Sequence, residues 1–308
     1  MKRLFLFCIV FVLFGCTDES SIETAPTQVA ESTAAIETAP TPTPTPTTPN
    51  LDDIFNSQPD EVKARYPYRN PQQTLEFFGI EPGMTIVEVL PGGGWYTKLL
   101  LPYVGESGEL IGVDYPLDLY PNFSYMTEEA IAEKETWVAD WIAEAEGWRS
   151  EGDASLSAFQ FAALPENMEG TADAVLFIRA LHNLSRFDSV GGFLTTALED
   201  SYRVLKPGGI VGVVQHQARD EMPDEWADGS AGYLKRSFII ERMEAVGFEY
   251  IDSTDINANP IDQPTVDDVV WRLPPSFSGS RNDPVQQRFM REIGESNRMT
   301  LKFRKPSS

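Results

Sequence analysis

Three glycines and one acid form the first constellation with chemical meaning. Gly92-Gly93-Gly94 follows the run Thr85-Ile86-Val87-Glu88-Val89-Leu90, and Asp114 stands twenty positions after Gly94, closing a second apolar run, Leu110-Ile111-Gly112-Val113. Glycines in a strand-to-helix loop let the backbone come closer to a ligand than a Cβ permits. A carboxylate at the end of the next strand can hold both hydroxyls of a ribose. Without the acid, the triplet would read as an ordinary turn. Glu88 sits near the end of the first run, and Trp95 and Tyr96 follow the glycines. The two aromatics either face a cationic centre through their π systems or pack in the core, as aromatics that open a helix commonly do.

The second constellation is a pair of histidines, His182 and His216, the only two in the chain. Each falls just past an apolar run, His182 after Ala174 to Ile178 and His216 after Ile210 to Val214. Carboxyl ends of adjacent parallel strands converge on one crevice, so the two imidazoles are expected near one ligand. Histidine can remove a proton near neutral pH, which makes His182 the first candidate general base, with His216 beside it and Asn183 as an amide that orients a substrate. The alternative is that each caps a helix or bonds a loop.

The elements that must position these residues alternate. The turn Glu81-Pro82-Gly83 precedes the first run, and Trp95 to Leu101 reads as the helix after the glycine loop. A helical stretch up to Val204 meets Lys206-Pro207-Gly208-Gly209 and a strand, Ile210 to Val214. Strands alternating with helices predict a doubly wound, mostly parallel α/β sheet covered on both faces. At the end, Phe238 to Val246 reads as a helix stopped by Gly247, Phe248 to Ile251 as a strand, and Met299 to Phe303 as a closing strand with no helix between the two. That order predicts an antiparallel last strand. Between about 115 and 157 an insertion carries Trp137, Trp141 and Trp148 among acidic residues, read as a helical cap whose indoles pack inward, or else contact substrate. Residues 215–235 and 257–284 read as polar, proline-rich loops able to form a lid.

From residue 66 to 114, through Pro71-Gln72-Gln73-Thr74-Leu75, Pro82-Gly83-Met84-Thr85 and Pro91-Gly92-Gly93-Gly94-Trp95-Tyr96-Thr97, the chain resembles a family of exported methyltransferases, a branch of the class I S-adenosylmethionine-dependent enzymes. Arg179-Ala180-Leu181-His182-Asn183, Leu205-Lys206-Pro207-Gly208-Gly209 and Leu301-Lys302-Phe303-Arg304-Lys305-Pro306 extend that resemblance over nearly the whole domain. The resemblance implies a seven-stranded Rossmann-like sheet, S-adenosylmethionine as cofactor and a small or surface-exposed methyl acceptor. It also implies roles: Gly92, Gly93 and Gly94 for the methionyl backbone, Asp114 for the ribose, and Gln160 or Phe161, just ahead of Leu164-Pro165, for adenine. Leu90 and Pro91 stand where the wider superfamily has its first loop glycine and the position after it.

The N-terminus sets an expected compartment. Lys2 and Arg3 precede an apolar run, Leu4 to Phe14, which is shorter than the roughly 20 residues a bilayer span needs. It ends in Leu13-Phe14-Gly15-Cys16, which resembles a lipoprotein box, so residues 1–15 are expected to be a signal peptide and Cys16 the lipidated first residue. The alternatives are an uncleaved anchor or an ordinary secretory signal. Residues 16–50, rich in Thr and Pro, read as an extended tether able to hold a domain of residues 51–308 on the order of 100 Å from an envelope membrane. A periplasm-facing outer-membrane lipoprotein is the expectation, touching membrane through its lipid alone.

Composition closes several doors. Cys8 and Cys16 are the only cysteines, so the domain has no disulfide, zinc-thiolate or cysteine nucleophile, and no metal site is expected. Asp plus Glu outnumber Lys plus Arg by 47 to 24, which disfavours a nucleic-acid partner. There is no Gly-x-Ser-x-Gly elbow, phosphate loop or His-Glu-x-x-His. A nicotinamide-dependent oxidoreductase shares the glycine loop and acid, but Thr97 stands where its third fingerprint glycine would be. Because S-adenosylmethionine is made in the cytosol, the competing expectation is a non-enzymatic envelope lipoprotein that uses the same fold to hold a small nucleoside-like ligand.

Overall fold

A computed structural model describes residues 50–307. The expected signal, the lipidated Cys16 and the tether up to residue 49 lie outside the described residues.

Seven strands form one sheet: β1 Thr85–Val89, β2 Glu109–Asp114, β3 Ser155–Gln160, β4 Ala172–Ile178, β5 Leu205–His216, β6 Glu249–Thr254 and β7 Arg298–Arg304. Their order is β3-β2-β1-β4-β5-β7-β6. The pairs β1–β2, β1–β4, β2–β3 and β4–β5 are parallel, while β7 runs antiparallel to both β5 and β6. This is the expected doubly wound, Rossmann-like sheet of seven strands, with its direction of winding reversing at β1, so that a crevice opens where β1 and β4 end.

The inner strands are apolar on both sides because both faces are covered. Val87, Val113, Phe177 and Val213 join one core with Ala197 and Leu198 of the helix Phe193–Val204. Ile86, Leu110 and Leu176 join another with Phe78 of the helix Pro71–Phe78 and Leu99 and Leu100 of the helix Thr97–Val104. The insertion helix Trp137–Glu146 packs inward as expected: Trp141 is buried, stacks on Trp137 at 5.8 Å, and lies so close to β2 that a Cβ on Gly112 would fall 2.6 Å from its ring.

Three expectations are corrected. A helix, Pro284–Ile293, does stand between β6 and β7. It buries none of its residues, although Val285, Phe289 and Ile293 recur at helical spacing; a second signal is Asp283, whose carboxylate accepts from Val285 N and Gln286 N ahead of Pro284. The insertion ends earlier than 157, because β3 begins at Ser155; as an edge strand with an exposed start, it lacks a continuous apolar run. The polar loops are no loose lid either: residues 215–235 and 257–284 share a small core of Ala218, Ala231, Tyr233 and Val270. Arg272 binds both the Tyr233 hydroxyl (2.9 Å) and Asp262 (2.8 Å) and fastens that roof in place.

Candidate functional site

β1 stops at a strained residue. Leu90 has φ 54°, a left-handed conformation rare outside glycine, and its N–H donates to Val113 O on β2 at 2.7 Å. The turn continues through Gly92 (φ 55°) and Gly94 (φ 74°). Gly94 is fixed by packing, since a Cβ there would lie 2.2 Å from the ring of Trp148. Gly92 and Gly93 are exposed, and a Cβ on Gly93 would meet no atom within 4 Å. The Gly93 carbonyl accepts from Lys98 Nζ at 3.2 Å, while the N–H groups of Gly92 and Gly93 donate to no described residue. Glu88 is engaged beneath the loop: its Oε2 accepts from Thr97 Oγ1 at 2.7 Å, and burial raises its pKa to about 7. The bond ties the end of β1 to the first residue of the following helix, which explains a threonine at that position.

Asp114 and Gln160 are register partners at the ends of β2 and β3. Both are buried, and both engage Lys134 of the insertion. Asp114 Oδ2 accepts from Lys134 Nζ at 3.3 Å, and Gln160 Nε2 donates to the Lys134 carbonyl at 3.2 Å. The short turn Glu133–Thr136 thus lies over the two strand ends.

Several candidate residues serve elsewhere. Phe161 is 1% exposed and stacks on Phe177 in the core, so it is corrected from adenine contact to packing. Tyr96 is likewise core. Trp95 already carries a cation of this chain, the Arg69 guanidinium 4.5 Å above its ring, which leaves that face closed to a ligand's sulfonium. Asn183 does not line the histidine cavity; its Nδ2 donates to the Tyr115 hydroxyl at 3.0 Å.

The histidines do converge. Their ring centroids are 5.7 Å apart, and both line a cavity of about 270 Å³ together with Leu90, Arg179, Trp271 and Arg298. His216 reaches it from the end of β5, in register with Arg298 at the start of antiparallel β7. Arg179 follows β4 as Leu90 follows β1: it has φ 61°, and its N–H donates to Val214 O on the next strand at 2.6 Å. His216 Nδ1 pairs with Ser296 Oγ at 2.6 Å, whereas His182 Nδ1 is buried with no partner. Burial, then the charge of Arg179, lowers the His182 pKa to about 4. Burial and nearby Arg298 hold His216 well below 6.5. Both rings are neutral at pH 7, and their pKa values lie below the range near neutrality in which a general base works best.

A cationic cluster that the sequence did not disclose stands beside them. Glu295 binds Arg65 and Arg298 closely, and Arg69 at 3.4 Å. Arg65 and Arg69 stand 230 and 226 positions from Glu295, whereas Arg298 is only three residues beyond it.

No protein-family model matches the chain, and no curated protein does. Solved structures similar to it include the [4+2]-cyclase SpnF, with a TM-score of 0.47 and 20% identity over 78% of this chain and 81% of that one. Another is an S-adenosylmethionine-dependent methyltransferase from Aquifex aeolicus, with a TM-score of 0.42 and 18% identity over 68% and 93% of the two chains. A third is CrArsM, an arsenic(III) S-adenosylmethionine methyltransferase from Chlamydomonas reinhardtii, with a TM-score of 0.39 and 18% identity over 83% and 73%. What these likenesses concern is the fold.

Proposed function

We propose that the chain binds S-adenosylmethionine beside Gly92, Gly93, Asp114 and Gln160 and directs its methyl group to an acceptor in the neighbouring histidine-lined cavity. The observation that carries this reading is the pairing of Asp114 with Gln160 next to an open glycine loop. The donor set fits the group: exposed peptides at Gly92 and Gly93 suit the charged methionyl end, the Asp114 carboxylate suits a ribose diol, and the Gln160 amide suits the edge of a base. Phe161 and Trp95 take no part in it.

The cofactor would supply a methyl carbon on cationic sulfur, whose C–S bond breaks, leaving its electron pair on sulfur, as an acceptor lone pair forms the new bond. Everything else falls to this chain. Leu90, which lines the cavity from the end of β1, joins the glycine loop to the acceptor side. Trp271 and Pro274 form the roof that limits water, held by the Arg272–Asp262 ion pair. Neutral His182 can accept a hydrogen bond from an acceptor's N–H or O–H, and proximity provides most of the rate. The lipid expected on Cys16 belongs to the same proposal and would keep this chemistry at the envelope.

One observation favours a second reading, a lipoprotein that binds a nucleoside-like ligand without turnover: the Lys134 ammonium already occupies Asp114. Calorimetric titration with S-adenosylmethionine, S-adenosylhomocysteine and, as control, NAD separates the two. Micromolar binding of the adenosyl ligands, lost in Asp114→Ala, supports the shared cofactor site, and methyl release to any acceptor then decides for the enzyme. Absence of heat with both adenosyl ligands sinks the cofactor assignment.

A further inference from the structure

The acceptor side of the crevice carries a charge excess at odds with the rest of the molecule. The chain has a formal net charge of −23, yet Arg65, Arg69, Arg179 and Arg298 gather around one carboxylate, Glu295. Both oxygens of Glu295 are taken, Oε1 by Arg65 and Arg69 and Oε2 by Arg298. Arg179 is left over. Its guanidinium makes no hydrogen bond or ion pair with any described residue, and Glu295 is the carboxylate whose field reaches it.

Arg179 is partly buried in the cavity wall, so its guanidinium gives up part of its hydration without gaining a partner in the chain. Burial, aggravated by Arg69 and Arg298, brings its pKa down to about 9, and it still carries its charge at pH 7. The same residue is held at φ 61°. Two unfavourable features at one position, both aimed at a cavity, are the pattern of a site that a ligand completes. The cavity wall around Arg179 offers donors: Arg298, the His182 imidazole and, from the His216–Ser296 pair, either the Ser296 hydroxyl or the His216 ring according to its tautomer. Trp271 adds an indole face 5.7 Å from His182. The volume, about 270 Å³, lies just under the usual range of about 300–1,000 Å³ for small-molecule pockets.

We propose that this cavity binds a small carboxylate, its oxygens on the Arg179 guanidinium with Arg298 and Ser296 beside it and its apolar part against Trp271 and Leu90, and that this carboxylate is the methyl acceptor. The planar fork of arginine matches two carboxylate oxygens at once, which a lysine cannot do. The word acceptor rests on the methyl-transfer reading; the anion site stands without it.

The test is thermal unfolding of the full chain with acetate, benzoate, inorganic phosphate or sulfate, against chloride at equal ionic strength, for wild type, Arg179→Gln and Arg179→Lys. Without added anion, Arg179→Gln melts above wild type, since it loses an unanswered charge. Benzoate at a hundredfold excess over its Kd raises the wild-type Tm by about 5 °C or more. The apparent affinity falls at least tenfold in Arg179→Gln and is partly restored in Arg179→Lys. S-adenosylhomocysteine affinity, measured separately by calorimetry, is the same in all three. No anion raising the Tm beyond chloride, or an undiminished response in Arg179→Gln, overturns the site; a response to phosphate without one to either carboxylate overturns the carboxylate assignment. If benzoate acts through Arg179 while S-adenosylhomocysteine binds no form of the protein, the anion site is upheld and the cofactor reading alone fails.

Discussion

The two halves of the crevice treat their charged groups in opposite ways. On the side of β1, β2 and β3, the three candidates Glu88, Asp114 and Gln160 have partners in the chain, Thr97, the Lys134 ammonium and the Lys134 carbonyl, although Trp95 Nε1 and the Tyr120 hydroxyl there are buried without one. On the side of β4, β5 and β7, Arg179 and His182 Nδ1 have none, although three other arginines crowd upon Glu295. The scaffold is the same on both sides, down to the left-handed residue that ends β1 and the one that ends β4. What differs is the charged groups: the carboxylate of Asp114 is paired within the chain, whereas the Arg179 guanidinium is not. Buried polar groups are almost always paired, so a charge left short of partners is one that a ligand completes.

The most damaging way to disturb that contrast is to remove the one carboxylate of the cationic side. Glu295→Gln leaves Arg65, Arg69 and Arg298 facing one another in a nearly buried setting, and it should cost about 3–5 kcal/mol in urea unfolding. Sulfate or another oxyanion should recover part of the loss. The Glu295 pKa is pulled down by those arginines, against its burial, so its contribution is present above the unfolded-state carboxylate pKa and disappears as pH falls through the folded value. A variant as stable as wild type would mean that the cluster is not held together by this charge.

The histidines give the next effect, with a definite sign. His182 has a pKa of about 4 in the folded chain against about 6.5 when unfolded, so between those values the unfolded state binds the extra proton. Stability is complete above pH 6.5 and falls as pH drops toward 4, by about 3 kcal/mol for this one ring. His216 adds to the same slope, its pKa also being lowered. In His182→Gln, unfolding free energies measured at pH 7 and pH 4.5 should lie closer together than in wild type. A bound carboxylate at Arg179 would offset the repulsion felt by the imidazole, so NMR titration of His182 should show its pKa rise when benzoate is present.

How much of this was legible beforehand follows the same line between local and distant pairing. Inner strands declare themselves because both of their sides are buried, as in Ile86 to Val89 and Ala174 to Phe177. β3, an edge strand, and the helix Pro284–Ile293, which buries nothing, do not. The place of Asp114 and the convergence of His182 with His216 were readable from strand ends, whereas Gln160 came only from the family resemblance, through Leu164-Pro165 after it. Phe161, Tyr96 and Asn183 were misassigned because sequence cannot say which side of the strand end a residue faces. Lys134, Arg298 and Glu295 gave no sign at all: their importance exists only through contacts with residues far away in the chain. Arg179 was visible inside a motif, but its lack of a partner is a property of the folded surroundings.

On the opposite side of the crevice, Asp114→Asn tests whether the satisfied half still recognises a ligand. The substitution keeps the shape and removes the charge, so hydrogen bonds from a ribose diol lose their charged acceptor at about 1.5–3 kcal/mol, or roughly 10- to 150-fold in S-adenosylhomocysteine affinity by calorimetry. Benzoate binding should be untouched. Equal loss of both ligands would erase the distinction between the two halves.

Lys134→Met is the smallest change and the one that sharpens the distinction most. The Lys134–Asp114 pair is partly exposed, with 31% of the lysine side chain accessible, so breaking it costs the fold only about 0.2–1 kcal/mol. The methionine keeps an unbranched apolar stem and gives up the ammonium that stands 5.0 Å over the Tyr120 ring. If a ribose must displace the ammonium before it can reach Asp114, removing that competitor returns the same energy to the ligand, and affinity for S-adenosylhomocysteine rises by up to about fivefold. If the lysine instead lends its charge to the site, affinity falls. The sign of this one shift tells whether the closed half of the crevice is closed by a gate that the cofactor opens or by a residue that the cofactor uses.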